Sequence, residues 1–372
     1  MKNRINICHV VNNLDINGIS KVILNYCKYI NKKEFNMSIV AGAPINSDII
    51  KVLKKNNVKV YQLPSRKKES RAFYKELYCN LKHNNFDIVH VHGNSSTMAI
   101  ELLIARISGI KSTIAHCHAS KSDNMVRHKV LMPLFQHLYS QGIACSELAG
   151  DWIFGKNNFE VVLNGFDVQE FTFSENKRRM YRKKLDIEGK IVIGHVGRFN
   201  EYKNQRYILE IFESIYFYNK DIVLLLVGNG PDFLEIKNKV LSKTYADNVI
   251  FYGETTDVSG LLSVMDIFLM PSTREGFGIA ALEAQISGLP CFVSNVLPQD
   301  VELSESIKFL SIDEKNIVNW KKCVLETPIK TETRTLFYEN NLHALSRFDI
   351  HNNIMQLEQI YRKVLTGSMK YK

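Results

Sequence analysis

Two doubly wound α/β domains are what this sequence predicts, on three observations. Short apolar runs alternate with segments of helical period along most of the chain. The alternation is interrupted by a charged stretch from Ser174 and then restarts near residue 190. The length, 372 residues, implies two domains of roughly 150 to 200 residues rather than one ordinary core.

The first set of strands falls near 5–11, 37–41, 58–63, 86–91, 112–117, 142–145 and 160–163. Between them, apolar residues recur at i, i+3 and i+4, as in Ile19, Val22, Ile23 and Tyr26, or Leu102, Leu103, Ala105 and Ile107. Repeated β–α pairs of this kind require a parallel sheet covered on both faces. The charged segment SENKRRMYRKKLDI then reads as a helix, and strands resume near 190–196, 222–227, 248–252, 266–270 and 291–294. From about residue 332 the pattern is helical without strands, and Phe348, Ile354, Leu357, Ile360 and Tyr361 define a last amphipathic helix. The expected domains are 1–170 and 171–350, with 351–372 a helix able to pack back on the first.

Composition excludes several classes. No apolar stretch approaches the roughly 18–20 residues of a membrane-spanning helix. The opening MKNRINICHVVNNLD is a poor signal peptide, with polar Asn6, His9, Asn12 and Asn13, and is better read as a first strand. Seven cysteines, scattered singly, give no disulfide framework and fit a reducing cytoplasm. The net charge of +10 is concentrated: residues 51–82 carry ten Lys or Arg against Glu69 and Glu76. That favours an anionic partner. Nucleic acid is not expected, for no recognisable binding motif accompanies the charge. An anionic membrane surface is the alternative, with Phe73, Tyr74 and Tyr78 interleaved among the cations. A solvated lysine-rich face explains the run equally well.

The most informative stretch is PSTREGFGIAALEAQISGLPC, residues 271–291, which sets Glu275 and Glu283 around a strand-to-helix turn. Ile267 to Met270 form a buried strand, Pro271 stops it, and Gly276 and Gly278 leave a loop free of bulky side chains before a helix over 279–287. Backbone N–H groups from Gly278 to Ala281, at the positive end of the helix, favour phosphate. The plain alternative is an ordinary connection bearing two solvated glutamates. Ligands of open parallel sheets gather at the carboxyl ends of strands. There, strand 190–196 runs into Gly197-Arg198, with Lys203 five residues on, two cations able to hold a diphosphate; a surface Arg and Lys near a turn explain them equally well. Gly228-Asn229-Gly230-Pro231 lacks a third glycine and reads as a turn.

His90 and His92 lie on one strand and His116 and His118 on or beyond another, so four imidazoles share a face. Buried histidines bonded to backbone are the more common outcome than zinc ligation, and no cysteine or carboxylate stands in matching spacing. His118, at the strand terminus, is expected to point into a cleft. The loop NNLDINGISK after the first strand carries Gly18, where a phosphate or acceptor has room to approach, although a plain strand-to-helix turn accounts for it equally well.

Taken together, GHVGRFNEYKN, LLLVGNGP, VIFYGETTDV, MDIFLMPSTREGFGIAALEAQISGLP and VVLNGFD resemble the retaining glycosyltransferases of family 4, which have the two-Rossmann GT-B fold. IAHCHAS and EAQISGLPC are similar to bacterial enzymes of exopolysaccharide and capsule synthesis. The resemblance implies an acceptor-side first domain and a second domain holding a nucleotide-sugar, with Arg198 and Lys203 on its diphosphate and Glu283 on its ribose. Glu275 would bond a hydroxyl of the transferring sugar. Backbone groups of Phe277, Gly278 and Ile279 would meet the phosphates or sugar, and residues around Gly253 and Glu254 the base. His118 resembles the family's cleft histidine, which acts at the donor sugar, with His116 the second choice. Gly18 matches the second glycine of the acceptor-side loop, where Asn17 replaces the first.

The chemistry so implied is transfer with retention, catalysed by His118, Glu275, Arg198 and Lys203. The sequence contains no Asp-x-Asp, so neither a metal nor another cofactor is expected; the nucleotide-sugar, a UDP-sugar by preference, is a co-substrate. The expected acceptor is a polyprenyl-diphosphate-linked saccharide at the inner membrane face. Two other functions fit the same architecture, a sugar-nucleotide 2-epimerase and a non-catalytic subunit that binds nucleotide-sugar. The first would need cleft carboxylates for elimination, and the second does not require all four candidate catalytic residues.

Overall fold

The computed structural model describes residues 4–15, 18–119, 124–275 and 277–367. Asn17 and Gly276 lie outside these residues. The chain divides into two units: residues up to Phe166 together with Arg347 onward, and Asp167–Ser346.

The first unit is built on β1 (Ile5–Val11), β2 (Phe35–Gly42), β3 (Lys59–Leu63), β4 (Ile88–Gly93), β5 (Ser112–Cys117), β6 (Gln141–Ala144) and β7 (Phe159–Val161). All pair in parallel, in the order β3-β2-β1-β4-β5-β6-β7. Both faces must be covered, because side chains alternate across each strand. On one face Ile7, Ile39, Ile88 and Ile114 pack against helices Gly18–Tyr29, Ser47–Lys55 and Ile350–Leu365. On the other, Val10, Val89, Val91 and Ala115 pack against Ser70–His83, Ala99–Ile107, Met125–Phe135 and Glu147–Phe154.

The last helix earns its place by its apolar stripe. Ile350, Ile354, Leu357, Ile360 and Tyr361 join the same cluster as Tyr26 and Phe35. Asp349 caps it by accepting from His351 N at 2.7 Å. Arg362 clasps Glu34 through two bonds, Nε at 2.8 Å and a terminal nitrogen at 2.7 Å.

The basic segment does not form one patch. Helix Ser47–Lys55 buries Ile49 and Leu53 on the first face, whereas helix Ser70–His83 buries Phe73, Leu77 and Leu81 on the opposite one. Of the interleaved aromatics, Phe73 is fully buried and Tyr74 accepts from Arg66 Nε at 2.9 Å, leaving only Tyr78 exposed.

The second unit contains β8 (Ile191–Val196), β9 (Ile222–Val227), β10 (Val249–Gly253), β11 (Ile267–Met270), β12 (Cys291–Ser294) and β13 (Ile307–Leu310). They pair in parallel in the order β10-β9-β8-β11-β12-β13. The four-residue edge strand β13 is absent from the sequence expectation; its IKFL alternates over too short a run to signal a period. Its partner β12 binds it through Cys291↔Ile307 to Ser294↔Leu310.

The charged helix Glu175–Leu185 is less solvated than its composition implies. Arg178 and Arg182 are buried and converge on Asp266, at 2.6 and 2.5 Å. They also bond the carbonyls of Ser263, Val264 and Met265, at the end of helix Val258–Val264. Arg334 adds bonds to Leu262 O at 3.0 Å and Met265 O at 2.7 Å. Orphan carbonyls at a helix end attract cations for both hydrogen-bonding and dipole reasons. Among the described residues, no helix is long and apolar enough to cross a membrane.

Candidate functional site

Strand order reverses between β8 and β11 in the second unit, and between β1 and β4 in the first. The loops leaving adjacent strands then diverge to opposite faces and open a crevice at their carboxyl ends. Both clusters of candidate residues sit at these two places.

In the second unit the loops after β8 and β11 are laced together. Thr273 N donates to Tyr202 O at 2.8 Å, and Asn204 Nδ2 to Pro271 O at 3.2 Å. Asn204 takes a left-handed φ of 55° to begin helix Gln205–Tyr216. Buried His195 donates from Nδ1 to Leu269 O at 2.8 Å, while its Nε2 accepts from the side-chain amide of Gln205, which also bonds Arg198 O at 3.0 Å. Burial lowers the His195 pKa to about 4, so the ring is neutral and serves as a rigid strut.

This frame brings Lys203 and Glu275 together. Lys203 Nζ is paired with Glu275 Oε1, and Ser272 Oγ donates to the same oxygen at 3.2 Å. The side chains are 22% and 10% exposed. Glu283 is 3% exposed on helix Ile279–Ile286. Neither glutamate is therefore a solvated surface group, which removes the plain alternative for this stretch. A carboxylate this far from water requires a partner, and Lys203 provides one for Glu275.

Gly278 has φ of 85°, in the left-handed region, and a Cβ there would stand 2.8 Å from Leu297 Cδ2. It opens helix Ile279–Ile286 toward the same loop. Ala281 N already donates to Gly278 O at 2.9 Å, so the N–H groups open to an anion end one residue earlier than the sequence indicates. Phe277 is buried beside it.

Arg198 leaves the end of the same strand as Lys203, β8. It is exposed and lines a neighbouring concavity of about 570 Å³ with Tyr202, Arg206 and Asp232. Gly228 and Gly230 serve close backbone approach: a Cβ on either would fall 2.1 Å from Gly197 O or 2.2 Å from Phe199 O. Gly253, φ 82°, ends β10 and accepts from Gly228 N at 2.8 Å; Glu254 follows it, exposed.

In the first unit, Gly18 begins its helix with nothing within 4 Å of where a Cβ would lie, so packing inside the chain does not demand glycine there. The histidines form something the sequence did not suggest. Register pairs His9 with His90 and His92 with His116, so their rings lie on one sheet face. They bond to one another rather than to backbone. One row runs from His9 Nδ1 to His92 Nε2 at 2.7 Å, and from His92 Nδ1 to His118 Nε2 at 2.9 Å. A second runs from the Tyr361 hydroxyl to His90 Nδ1 at 2.9 Å, and from His90 Nε2 to His116 Nδ1 at 3.1 Å. His9 joins because strand β1 is the neighbour of β4, a pairing invisible to spacing.

Burial lowers all five pKa values, those of His9 and His118 to about 3, and each neutral ring has one donor and one acceptor to share. Two trios, His9/His90/His92 and His92/His116/His118, hold candidate ligand nitrogens within 4.8 Å of one another. Separations of 2.7–3.1 Å between bonded nitrogens are those of shared protons. Tetrahedral zinc, about 2.0–2.1 Å from each nitrogen, would spread them further.

These two parallel-sheet α/β units define a GT-B architecture, with a cation–carboxylate pair and a helix N-terminus at the second switch point. The description "Glycosyltransferase Family 4" matches residues 16–170, and "Glycosyl transferases group 1" matches residues 177–341. The chain belongs to the glycosyltransferases that carry these two domains in tandem. EpsF of Bacillus subtilis, named as a glycosyltransferase, is 25% identical over 95% of this chain and 96% of its own length. The capsular polysaccharide biosynthesis glycosyltransferase CapH of Staphylococcus aureus is 24% identical over 96% and 98%. An Escherichia coli UDP-Gal:alpha-D-GlcNAc-diphosphoundecaprenol alpha-1,3-galactosyltransferase is 26% identical over 79% and 80%. Among solved structures, Anabaena HepE in complex with UDP and glucose superposes with a TM-score of 0.79 at 17% identity, covering 97% of this chain and all (100%) of that one.

Proposed function

We propose that this glycosyltransferase moves a sugar from a UDP-sugar, with retention and without a metal, to a polyprenyl-diphosphate-linked saccharide in cell-surface polysaccharide synthesis. The observation that carries the reading is the Lys203–Glu275 pair at the switch point of the second sheet. A paired lysine and carboxylate beside a helix N-terminus match the two ends of a nucleotide-sugar. Lys203 is suited to the diphosphate, and Glu275 to a sugar hydroxyl. Arg198, from the same strand end, adds a second cation as charge builds on the departing phosphate. Backbone groups of Phe277, Gly278 and Ile279 meet the phosphates or sugar, Glu283 the ribose, and Gly253 with Glu254 the base. His118 is assigned to the reacting sugar and Gly18 to the acceptor side.

The relatives support the finer parts. The E. coli protein's name specifies a UDP-sugar donor and a diphosphoundecaprenol-linked acceptor, CapH is named for capsular polysaccharide, and the Anabaena structures hold UDP and glucose. A panel of nucleotide-sugars screened for thermal stabilisation and slow hydrolysis tests the reading. A UDP-sugar is expected to raise the melting temperature of the wild-type protein and not that of Lys203→Ala. Stabilisation by none of the panel, or equal stabilisation of both proteins, would overturn it.

A further inference from the structure

Helix Met125–Phe135, which starts shortly after His118, is apolar on both of its sides. Its inner side is firmly seated: Phe135 is buried, Leu131 and Met132 pack on the core, and the ring of His128 stacks on Trp152 at 4.4 Å. Ser96 clamps the same turn, donating from Oγ to His128 O at 2.6 Å and from N to His128 Nδ1 at 3.2 Å. The outer side nevertheless exposes Val126 at 74%, Val130 at 71% and Leu134 at 41%, one stripe at i, i+4 and i+8. The neighbouring helix Ala99–Ile107 exposes Ile107 at 59%. An apolar stripe on a helix held this tightly is not the result of loose docking, and contiguous exposed aliphatics mark an interaction surface.

The charges around it select the partner. Arg127 and Lys129 are exposed between the valines, and Arg106 stands on the adjoining helix. Helix Met125–Phe135 has no acidic residue, and the one on Ala99–Ile107, Glu101, is buried against Arg66 at 2.9 Å. A twofold contact between two copies of this face would set Arg127 and Lys129 against themselves, a repulsive arrangement. Aliphatic side chains flanked by cations instead suit an anionic bilayer, with the apolar groups among the acyl chains and the cations at the headgroups.

We infer that the outer face of helices Ala99–Ile107 and Met125–Phe135 docks on an anionic phospholipid surface, the source of the lipid-linked acceptor. The acceptor clause rests on the proposed function; the docking itself does not. Of the basic segment 51–82, helix Ser47–Lys55 lies on the opposite face of the sheet, whereas helix Ser70–His83 shares this face and adjoins Ala99–Ile107.

Flotation of the full chain with vesicles tests it. The wild-type protein is expected to float with phosphatidylglycerol-containing vesicles at low salt, several-fold above neutral phosphatidylcholine. Val126→Asp/Val130→Asp and, separately, Arg127→Glu/Lys129→Glu should each reduce recovery about fivefold or more. Val318→Asp, at a valine 69% exposed in the second unit, should not. The charge-reversal pair touches only exposed side chains, so it keeps the test valid if the aspartates disturb folding. Equal recovery with neutral and anionic lipid, or unimpaired flotation of both double variants, overturns the inference. So does a wild-type dimer in sedimentation that Val126→Asp/Val130→Asp dissolves. UDP-sugar stabilisation, measured on the same preparations, separates the two ideas. Protein that binds donor but no vesicle sinks the lipid face alone, and protein that floats but takes no nucleotide-sugar sinks the donor reading alone.

Discussion

Nδ1 of His92 lies 2.9 Å from Nε2 of His118, and the far nitrogen of His92 is taken by His9 at 2.7 Å. His118 Nδ1 has no partner among the described residues. A neutral imidazole divides donor and acceptor between its two nitrogens, so whichever role His92 takes in the shared bond decides whether His118 offers a proton or a lone pair at Nδ1. His92 thus sets the tautomer of His118.

Replacing His92 by Phe keeps a ring in the core and removes both bonds. Transfer is expected to fall about tenfold, the scale of one lost hydrogen bond, with donor affinity nearly unchanged. Steady-state kinetics with a donor-binding titration checks this. A fall in donor affinity equal to the fall in rate would remove this role.

Lys203 and Glu275 should act as a coupled pair. Lys203→Ala and Glu275→Ala are each expected to lower kcat/KM by tens-fold or more, because transition-state contacts are lost and a half-buried charge is left alone. The double variant should lose much less than the product of the two. Unchanged activity in both single variants would direct attention to another site.

Acid should undo the first unit before the second. The unfolded histidines take up protons near pH 6.5, whereas folded His9 and His118 do so only near pH 3 and His195 near pH 4. Between those limits the unfolded state binds more protons, so stability falls as pH drops. Six such rings lie in the first unit, the five of the histidine rows and His128, and His195 lies in the second. Hydrogen exchange at pH 7.5 and 5 should show protection lost earlier around β1, β4 and β5 than around β8 and β11. Uniform loss would contradict the assignment.

Asp266 holds Arg178 and Arg182 and accepts the N–H of Val192 at 2.8 Å. Removing one partner from a buried ionic cluster strands the others. Asp266→Ala should therefore destabilise the second unit by about 3–5 kcal/mol, read from urea unfolding monitored there. Burial already depresses the Arg334 pKa to about 9, which shows how little water compensates charge in this cluster. A loss below about 1 kcal/mol would mean the arginines find water instead.

Periodicity and local chemistry by themselves determined the two α/β units, the parallel sheets and the loops that carry candidate residues; the glycosyltransferase family was legible only as a resemblance of those loop motifs to known enzymes. These are properties of adjacent residues: side-chain alternation, Pro271 ending a strand, and Gly278 opening a helix. Tertiary structure alone decided what depends on which strands become neighbours. The β1–β4 pairing brought His9 to His92, so histidines expected to bond backbone bond one another. The β8–β11 pairing brought Lys203 to Glu275 across 72 residues. The same assembly split a continuous basic segment between two faces and buried two arginines of a helix whose composition reads as solvated. Spacing along a chain limits which side of an element a residue occupies, but the partner it meets there is set by packing between distant segments.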